Sequence, residues 1–188
     1  SAASRIVAKD RVTVVDSRNA SLGQGLLAMY AAECADAGYD QARVVAAVES
    51  MRDRTRTFAC LQTLDYGVRG GRVPAAAKVV ADWLRITPLL ATLPDGRVGF
   101  GGILLGRANL RSKFARFVRR RLDPAKRYRV MVGHANAADE AKRLLDELLM
   151  PGVNVERGWV VPAGAALSVH GGPGMLVIGF QEYQPPPP

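Results

Sequence analysis

Short apolar runs alternate along this chain with segments whose apolar residues recur at helical spacing. The run Val12–Val15 is followed by two helical patterns, which end near Gly38 and Met51. The run Phe58–Leu61 then predicts a second buried strand. Because strands and helices that alternate in this way pack in layers, the pattern predicts an α/β fold.

The second half of the chain contains a hairpin signal. The apolar runs 86–93 and 98–104 flank the turn sequence Pro-Asp-Gly at 94–96, which predicts two antiparallel strands and hence a mixed sheet. A helix is expected to begin just after Pro74. Its inward-facing residues are predicted to be Ala77, Val80, Ala81 and Leu84.

Three polar residues are predicted to cap helices. Ser21 stands three residues before Gln24, which is the spacing of a capping box. Asp40 precedes the second helical pattern, and Asn136 precedes the pattern 137–149. A side-chain oxygen at each position would accept a hydrogen bond from a backbone N–H of the first turn.

Gly23 and Gly25, with Ala28, match the loose form of a dinucleotide-binding fingerprint. In that fingerprint the glycines follow the strand at once, whereas about seven residues intervene here. No second strand that ends in an acidic residue follows at the required distance. We therefore reject a dinucleotide site and expect these glycines to let the start of the helix pack closely.

The formal net charge of +9 calls for an anionic partner or simply a basic surface. The segment 110–118 predicts an amphipathic helix, and basic residues fill its polar face: Arg111, Lys113, Arg116, Arg119 and Arg120. That face is either solvated or a docking surface for an acidic partner or a nucleic acid. An aromatic content of 6% is low for a protein that stacks single-stranded bases.

The composition is that of a globular domain, with 48% hydrophobic and 23% charged residues. No apolar stretch approaches the roughly 20 residues of a membrane span, so none is expected. Cys34 and Cys60 both lie in apolar surroundings, and buried thiols in a reducing cytoplasm are the favoured interpretation.

The segment 170–174, His-Gly-Gly-Pro-Gly, precedes an apolar run that predicts a buried strand. Its glycines would let the backbone approach a ligand closely, and His170, one of two histidines, could donate a proton there. A purely structural histidine at the start of a strand is the other interpretation that the segment allows.

Several kinds of catalytic site lack their sequence signatures. Two cysteines and two distant histidines cannot form a closed zinc site, and neither a Walker A loop nor a Gly-x-Ser-x-Gly elbow is present. His134 follows a predicted strand and precedes a helix, where a histidine is either catalytic or bonded locally. An enzyme acting on a small anion through His170 and His134 remains an alternative.

Taken together, the landmarks of the chain resemble the DegV family of bacterial fatty-acid-binding proteins. The resemblance rests on the order of five segments: Val14-Val15-Asp16-Ser17-Arg18 with Ser21, Gly23 and Gly25; Leu64-Asp65-Tyr66 before Gly70-Gly71-Arg72; Pro88-Leu89-Leu90 before Asp95-Gly96; His134-Ala135-Asn136; and His170 to Gly174.

The resemblance implies a two-lobed DegV-like (EDD) α/β fold with a long-chain fatty acid buried between the lobes, and no cofactor or metal. It implies that the ligand is bound by His170, Gly171, Gly172, Arg72, Ser17 and Ser21. It further implies that a fatty acid kinase related to the dihydroxyacetone kinases forms an acyl phosphate in the cytoplasm. The protein would be a carrier rather than an enzyme.

Three arginines are candidates for contact with that kinase: Arg69, Arg116 and Arg120. Residues 1–65 are expected to be the remainder of a first lobe, and residues 66–188 a second lobe with a mixed sheet. The family begins with about 100 further residues, the size of a small domain. These contain a Thr-Ser-x-Pro-Ser loop and a Leu-Ser-Gly segment, and Ser1–Ala3 resembles the helix that follows the latter. We expect a companion N-terminal segment to complete the head-group site.

Two points stay open in the sequence. Ile103, Leu104 and Leu105 could line the acyl tunnel or belong to the core. A basic module that binds nucleic acid or protein is the competing function, although no nucleic acid is expected. Binding to nucleic acid would weaken steeply with salt, whereas binding in a buried tunnel would not.

Overall fold

A six-stranded mixed sheet organises the computed structural model, which describes residues 12–186. The described helices are α1 (Leu22–Asp36), α2 (Gln41–Arg52), α3 (Asp65–Arg69), α4 (Ala75–Trp83), α5 (Leu110–Arg119), α6 (Ala138–Leu149) and α7 (Ala165–Gly171). The strands are β1 (Thr55–Cys60), β2 (Ile86–Thr92), β3 (Val98–Leu105), β4 (Arg127–His134), β5 (Asn154–Pro162) and β6 (Leu176–Glu182). The expected α/β class and mixed sheet are confirmed.

The strands lie in the order β3-β2-β1-β6-β4-β5, and β4 and β5 form the parallel pair. β2 and β3 form the predicted hairpin, in which the Leu93 N–H donates to the Arg97 carbonyl at 2.8 Å. β1 precedes residue 65 yet pairs with β2 and β6, so the sheet extends across the expected lobe boundary. The division at residues 65 and 66 stays a prediction.

Helices cover the two faces of the sheet unequally. Alternate strand residues point to opposite faces, and Phe58, Val130 and Ile178 pack beneath α5 and α6 in the largest core cluster. On the other face, α1 covers β4 and β6 through Leu22 and Leu26. Among the short helices, α4 contacts β2, and α3 contacts both α4 and α7. Part of the second face near β1 and β2 stays uncovered.

A smaller core holds α2 against α1. Cys34, Met51 and Tyr183 are buried there, and Cys60 is buried in the largest cluster. Both cysteines are free and buried, as predicted. Asp40 caps α2 as predicted, because its Oδ1 accepts a hydrogen bond from the Arg43 N–H at 2.8 Å.

The predicted capping box at the start of α1 is wrong. Ser21 has φ +56° and its side chain makes no capping hydrogen bond. Thr57 of β1 takes that role, since its Oγ1 accepts from the Gly23 N–H at 3.0 Å and donates to the Ala20 carbonyl at 3.3 Å. A Cβ on Gly23 would lie 2.5 Å from Thr57 Oγ1, which confirms that this glycine permits close packing. The same prediction is wrong for Gly25, where a Cβ would meet no atom within 4 Å.

Replacing Thr57 with valine is expected to lower the free energy of unfolding by about 1–3 kcal/mol, because it leaves a buried N–H of Gly23 without an acceptor. Urea denaturation followed by circular dichroism measures the change. Thr13→Val, at an exposed position, is the matched control and should change stability by less than about 0.5 kcal/mol. Equal stability of the two variants would contradict the role given to Thr57.

Two further predictions about local structure are wrong. The run Val12–Val15 forms no strand, because no described strand lies beside it to complete a ladder, and Val14 is 61% exposed. Asn136, at φ +49°, does not cap α6. There the His134 Nδ1 accepts from the Ala137 N–H at 3.3 Å.

Helices α4 and α7 also differ from expectation. Of the four residues predicted to face inward on α4, Ala81 is buried, whereas Val80 and Leu84 are 53% and 51% exposed. Helical spacing identifies an apolar stripe but not whether a neighbour covers it. His170, predicted in a loop, lies within the last turn of α7. The resemblance of Ser1–Ala3 to a family helix concerns residues outside the described range.

Candidate functional site

The uncovered part of the second face forms an apolar groove of about 540 Å³. Its floor is made by side chains that point the same way from adjacent strands, with Ala59 of β1 paired to Leu90 of β2 and to Val177 of β6. Val98 and Phe100 of β3 form one side. Because alanine is small, the middle of the floor stays low, and the groove can hold an elongated apolar molecule.

Helices α3, α4 and α7 form the other side of the groove and bring its ionisable side chains. His170 on α7 and Arg72 after α3 are the only titratable side chains among the described residues that line it. Arg72 Nη1 donates to the Gly70 carbonyl at 2.8 Å. His170 Nδ1 is buried and has no hydrogen-bond partner within residues 12–186.

The end of the groove at Thr57, away from helices α3 and α7, is polar but uncharged. The Thr57 N–H donates to Thr92 Oγ1 at 3.3 Å, and that hydroxyl donates to Asn19 Oδ1 at 3.4 Å. Leu61, which lines the other end of the groove, is four positions after Thr57, and the rise of an extended chain places the two residues about 13 Å apart. Arg72 therefore supplies a positive charge at the α3–α7 end. At the other end, the hydroxyls of Thr57 and Thr92 already form hydrogen bonds within the fold.

The six predicted ligand residues fall into two groups. His170, Gly171, Arg72 and Ser21 line the groove. Ser17 does not, and its Oγ donates to the Asn19 carbonyl at 3.1 Å.

Gly172 does not line the groove either and packs against Tyr66 instead. It has φ +72°, and a Cβ on it would lie 2.6 Å from Tyr66 Cε2. Ser21 adjoins Thr57 rather than α3 and α7, so the structure does not gather all six residues at one head group.

The three arginines predicted to contact a partner lie on different layers. Arg69 is exposed on α3, beside the groove. Arg116 and Arg120 are exposed at α5, which covers the opposite face of the sheet. One arginine of the basic helix joins α5 to α6. Arg119 Nη1 donates to the Leu148 and Met150 carbonyls at the end of α6, at 3.1 and 2.8 Å.

The floor of the groove was not predicted from the sequence. Its residues, Ala59, Leu90 and Val177, were assigned only to strands. Residues 57, 59 and 61 share one face of the strand, and the small side chain of Ala59 between the other two was the feature that could have indicated a groove. The three residues suggested for the tunnel wall do not line the groove. Leu104 is buried in the core under α5, while Ile103 and Leu105 are 45% and 75% exposed.

Neither His134 nor Cys60 lines the groove. The described residues contain no group of three or more His, Cys, Asp or Glu side chains that could hold a metal ion. His134 does not line the groove and bonds locally instead. Burial raises the pKa of the Cys60 thiol to about 12, so this sulfur stays protonated at neutral pH and is a poor nucleophile.

No helix in the described part of the chain is long and apolar enough to cross a membrane. Within residues 12–186, the groove combines an apolar floor with the cationic side chain of Arg72.

Comparison with known proteins identifies relatives that share this architecture. The family model described as "Uncharacterised protein, DegV family" matches residues 1–182. A DegV domain-containing protein of Clostridium perfringens, CPE2509, is 29% identical over 184 residues, covering 96% of this chain and 65% of the relative. Protein SCO2569 of Streptomyces coelicolor is 33% identical over 170 residues, covering 89% of this chain and 59% of its own length.

Solved structures agree with these matches. A DegV family protein from Thermus thermophilus, described as binding fatty acid, is 31% identical and superimposes with a TM-score of 0.81. The match covers 97% of this chain and 64% of the Thermus thermophilus chain. A stearic-acid-binding protein from Eubacterium ventriosum, at 23% identity and a TM-score of 0.76, shares the fold. The chain spans 60–65% of the length of the first curated relatives that it matches.

Proposed function

Because the chain belongs to the DegV family, we propose that it binds a long-chain fatty acid in the groove, with the carboxylate at His170 and Arg72 and the acyl chain along β1 and β2. The resemblance read from the sequence is confirmed at the level of the family. The ligand, its orientation and the partner are our proposals.

One observation carries the proposal: the two ionisable side chains that line the otherwise apolar groove, His170 and Arg72, both contact Gly70 and therefore lie near each other. A fatty acid has the same division of charge and apolar length. A buried carboxylate needs hydrogen-bond donors, and imidazole and guanidinium N–H groups are suitable ones. Each methylene removed from water contributes about 0.8 kcal/mol, so the apolar floor supplies most of the affinity.

The relatives support the same ligand class. The Thermus thermophilus protein is described as binding fatty acid, and its fold superimposes over nearly all of this chain. The residues proposed here to bind the head group, His170 and Arg72, come from segments that carried the resemblance in the sequence.

We further propose that the protein is a cytoplasmic carrier that presents the carboxylate to a fatty acid kinase, which performs the phosphoryl transfer. Arg69 and Arg72 support this role, since both are exposed beside the end of the groove that would hold the carboxylate. Arg116 and Arg120 lie on the opposite layer and would have to contact a different part of the kinase. The division into a first lobe of residues 1–65 and a second of 66–188 belongs to the same proposal.

Purified protein is expected to carry a fatty acid, seen as an added mass by native mass spectrometry and identified after organic extraction. After delipidation, rebinding of palmitate should change less than about threefold between 50 and 200 mM salt, whereas a nucleic-acid site would lose on the order of 10³-fold. Tight, salt-sensitive binding of an oligonucleotide without palmitate binding would overturn the proposal in favour of the basic-module alternative.

A further inference from the structure

Where helices α3 and α7 meet beside the groove, a glycine at the end of each helix faces an aromatic ring of the other. Gly70 ends α3 and faces the imidazole of His170. A Cβ on Gly70 would lie 2.8 Å from His170 Cε1 and still closer to Nδ1, where no real Cβ is accommodated. The ring of His170 therefore occupies space that exists only because residue 70 has no side chain.

The neighbouring glycine is present for a different reason. Gly71 has φ +69°, a left-handed conformation that favours glycine, and a Cβ on it would meet no atom within 4 Å. Gly70 has φ −81°, which any residue adopts, so space and not backbone conformation requires glycine there. The two adjacent glycines are thus separable by substitution.

Gly70 also contacts the second ionisable side chain of the groove. Its carbonyl accepts the hydrogen bond from Arg72 Nη1 at 2.8 Å, while its own N–H donates to the Tyr66 carbonyl at 2.9 Å. One backbone unit, fixed to α3, therefore touches both His170 and Arg72.

The imidazole has no hydrogen bond that could hold it in place from this side. Its Nδ1 is buried without a partner in the described part of the chain, and it faces the open side of Gly70. On the far side of the same helix junction, Gly172 leaves room for the ring of Tyr66 in the same way, with a built Cβ 2.6 Å from Tyr66 Cε2.

We propose that Gly70 is a positioning residue: it sets the place of the His170 imidazole at the charged end of the groove and so determines the affinity for the carboxylate. This inference rests on the proposed function, because it assumes that His170 binds the head group. It adds a residue that need not touch the ligand.

The test compares Gly70→Ala with Gly25→Ala, a glycine of α1 at which a Cβ would meet no atom within 4 Å. Palmitate affinity is measured by competition with a fluorescent fatty acid. The imidazole Cε1–H signals are recorded by NMR, which is simple because the chain has two histidines. His134 bonds locally and serves as an internal reference for folding.

Gly70→Ala should shift the His170 signal, leave the His134 signal in place and weaken palmitate binding about tenfold, since a displaced donor loses most of its bond to a charged group. Gly25→Ala should change neither measurement. Combined with His170→Ala, the Gly70→Ala change should cause no further loss of affinity, and the double variant should melt like His170→Ala alone because the clash is gone.

Three results would separate the two proposals. An unshifted His170 signal in Gly70→Ala would overturn the positioning role. A double variant that binds about tenfold more weakly than His170→Ala would do the same, because it would show that the two residues act independently. Palmitate binding unaffected by His170→Ala would instead overturn the head-group assignment of the proposed function.

Discussion

Replacing Ala59 with phenylalanine is expected to abolish fatty acid binding while the sheet remains folded. Ala59 lies at the centre of the groove floor, between Leu90 and Val177 on the neighbouring strands. A benzyl group there would fill the space of several methylenes. Displacing four of them forfeits about 3 kcal/mol at 0.8 kcal/mol each, which is more than a hundredfold in affinity.

The substitution should be well tolerated by the strand, because phenylalanine favours extended backbone and the new ring points into an open groove. Ala42→Phe, at an exposed position of α2, is the matched control and should bind palmitate as the unmodified protein does. Competition with a fluorescent fatty acid and thermal unfolding are measured on both variants. Affinity of Ala59→Phe within a few-fold of the control would show that the acyl chain does not lie in this groove.

Replacing His170 with alanine is expected to weaken binding of palmitate by about 10- to 150-fold, the effect of losing a hydrogen bond of 1.5–3 kcal/mol to a charged group. The loss should be specific for the carboxylate. The unmodified protein should prefer palmitate to its methyl ester, which lacks the negative charge, and His170→Ala should discriminate far less between the two.

His134→Ala is the matched control for this experiment, because His134 lies outside the groove and its Nδ1 serves the start of α6. It should lower stability slightly and leave the preference for the acid unchanged. Isothermal titration calorimetry with both ligands gives the four affinities that are needed. If His170→Ala keeps the full preference for the acid, the carboxylate is held by other groups, and Arg72 becomes the first to test.

Some of the arginines of α5 form contacts within the fold. The net charge of +9 and the arginines of α5 suggested a nucleic-acid or acidic partner. Arg119 instead caps the end of α6, and Arg111 Nε donates to Glu147 Oε1 at 2.8 Å, so both join α5 to α6. The sequence of a basic helix does not show which arginines contact a partner and which form hydrogen bonds or ion pairs within the protein.

Features whose partners are close in sequence could be predicted. Asp40 caps α2 through an N–H three residues away, and the Pro-Asp-Gly turn at 94–96 closes the hairpin with Gly96 at φ +84°. Apolar runs of strand length located β1, β4 and β6. In each case the hydrogen bonds or the side-chain pattern lie within one short segment, so the local sequence was sufficient.

Features whose partners are distant in sequence were decided by the tertiary structure. Thr57, and not Ser21, caps α1, because β1 brings a hydroxyl to an N–H 34 residues earlier in the chain. Val80 belongs to an apolar stripe that no described element covers.

The residues of the candidate site also fall into some that the sequence identified and others that only the tertiary structure revealed. The sequence singled out His170 and Arg72 through the resemblance of their glycine-rich segments to the DegV family. The family is confirmed for the chain, and the roles of the two residues stay predictions. It could not show that Ala59 forms the floor between Leu90 and Val177, or that Gly70 makes room for the His170 ring. A groove is the space left between elements that pack together, and its shape depends on residues far apart in the chain. The sequence by itself therefore determined which residues carry the charge, and only the tertiary structure decided where that charge lies relative to the apolar surface.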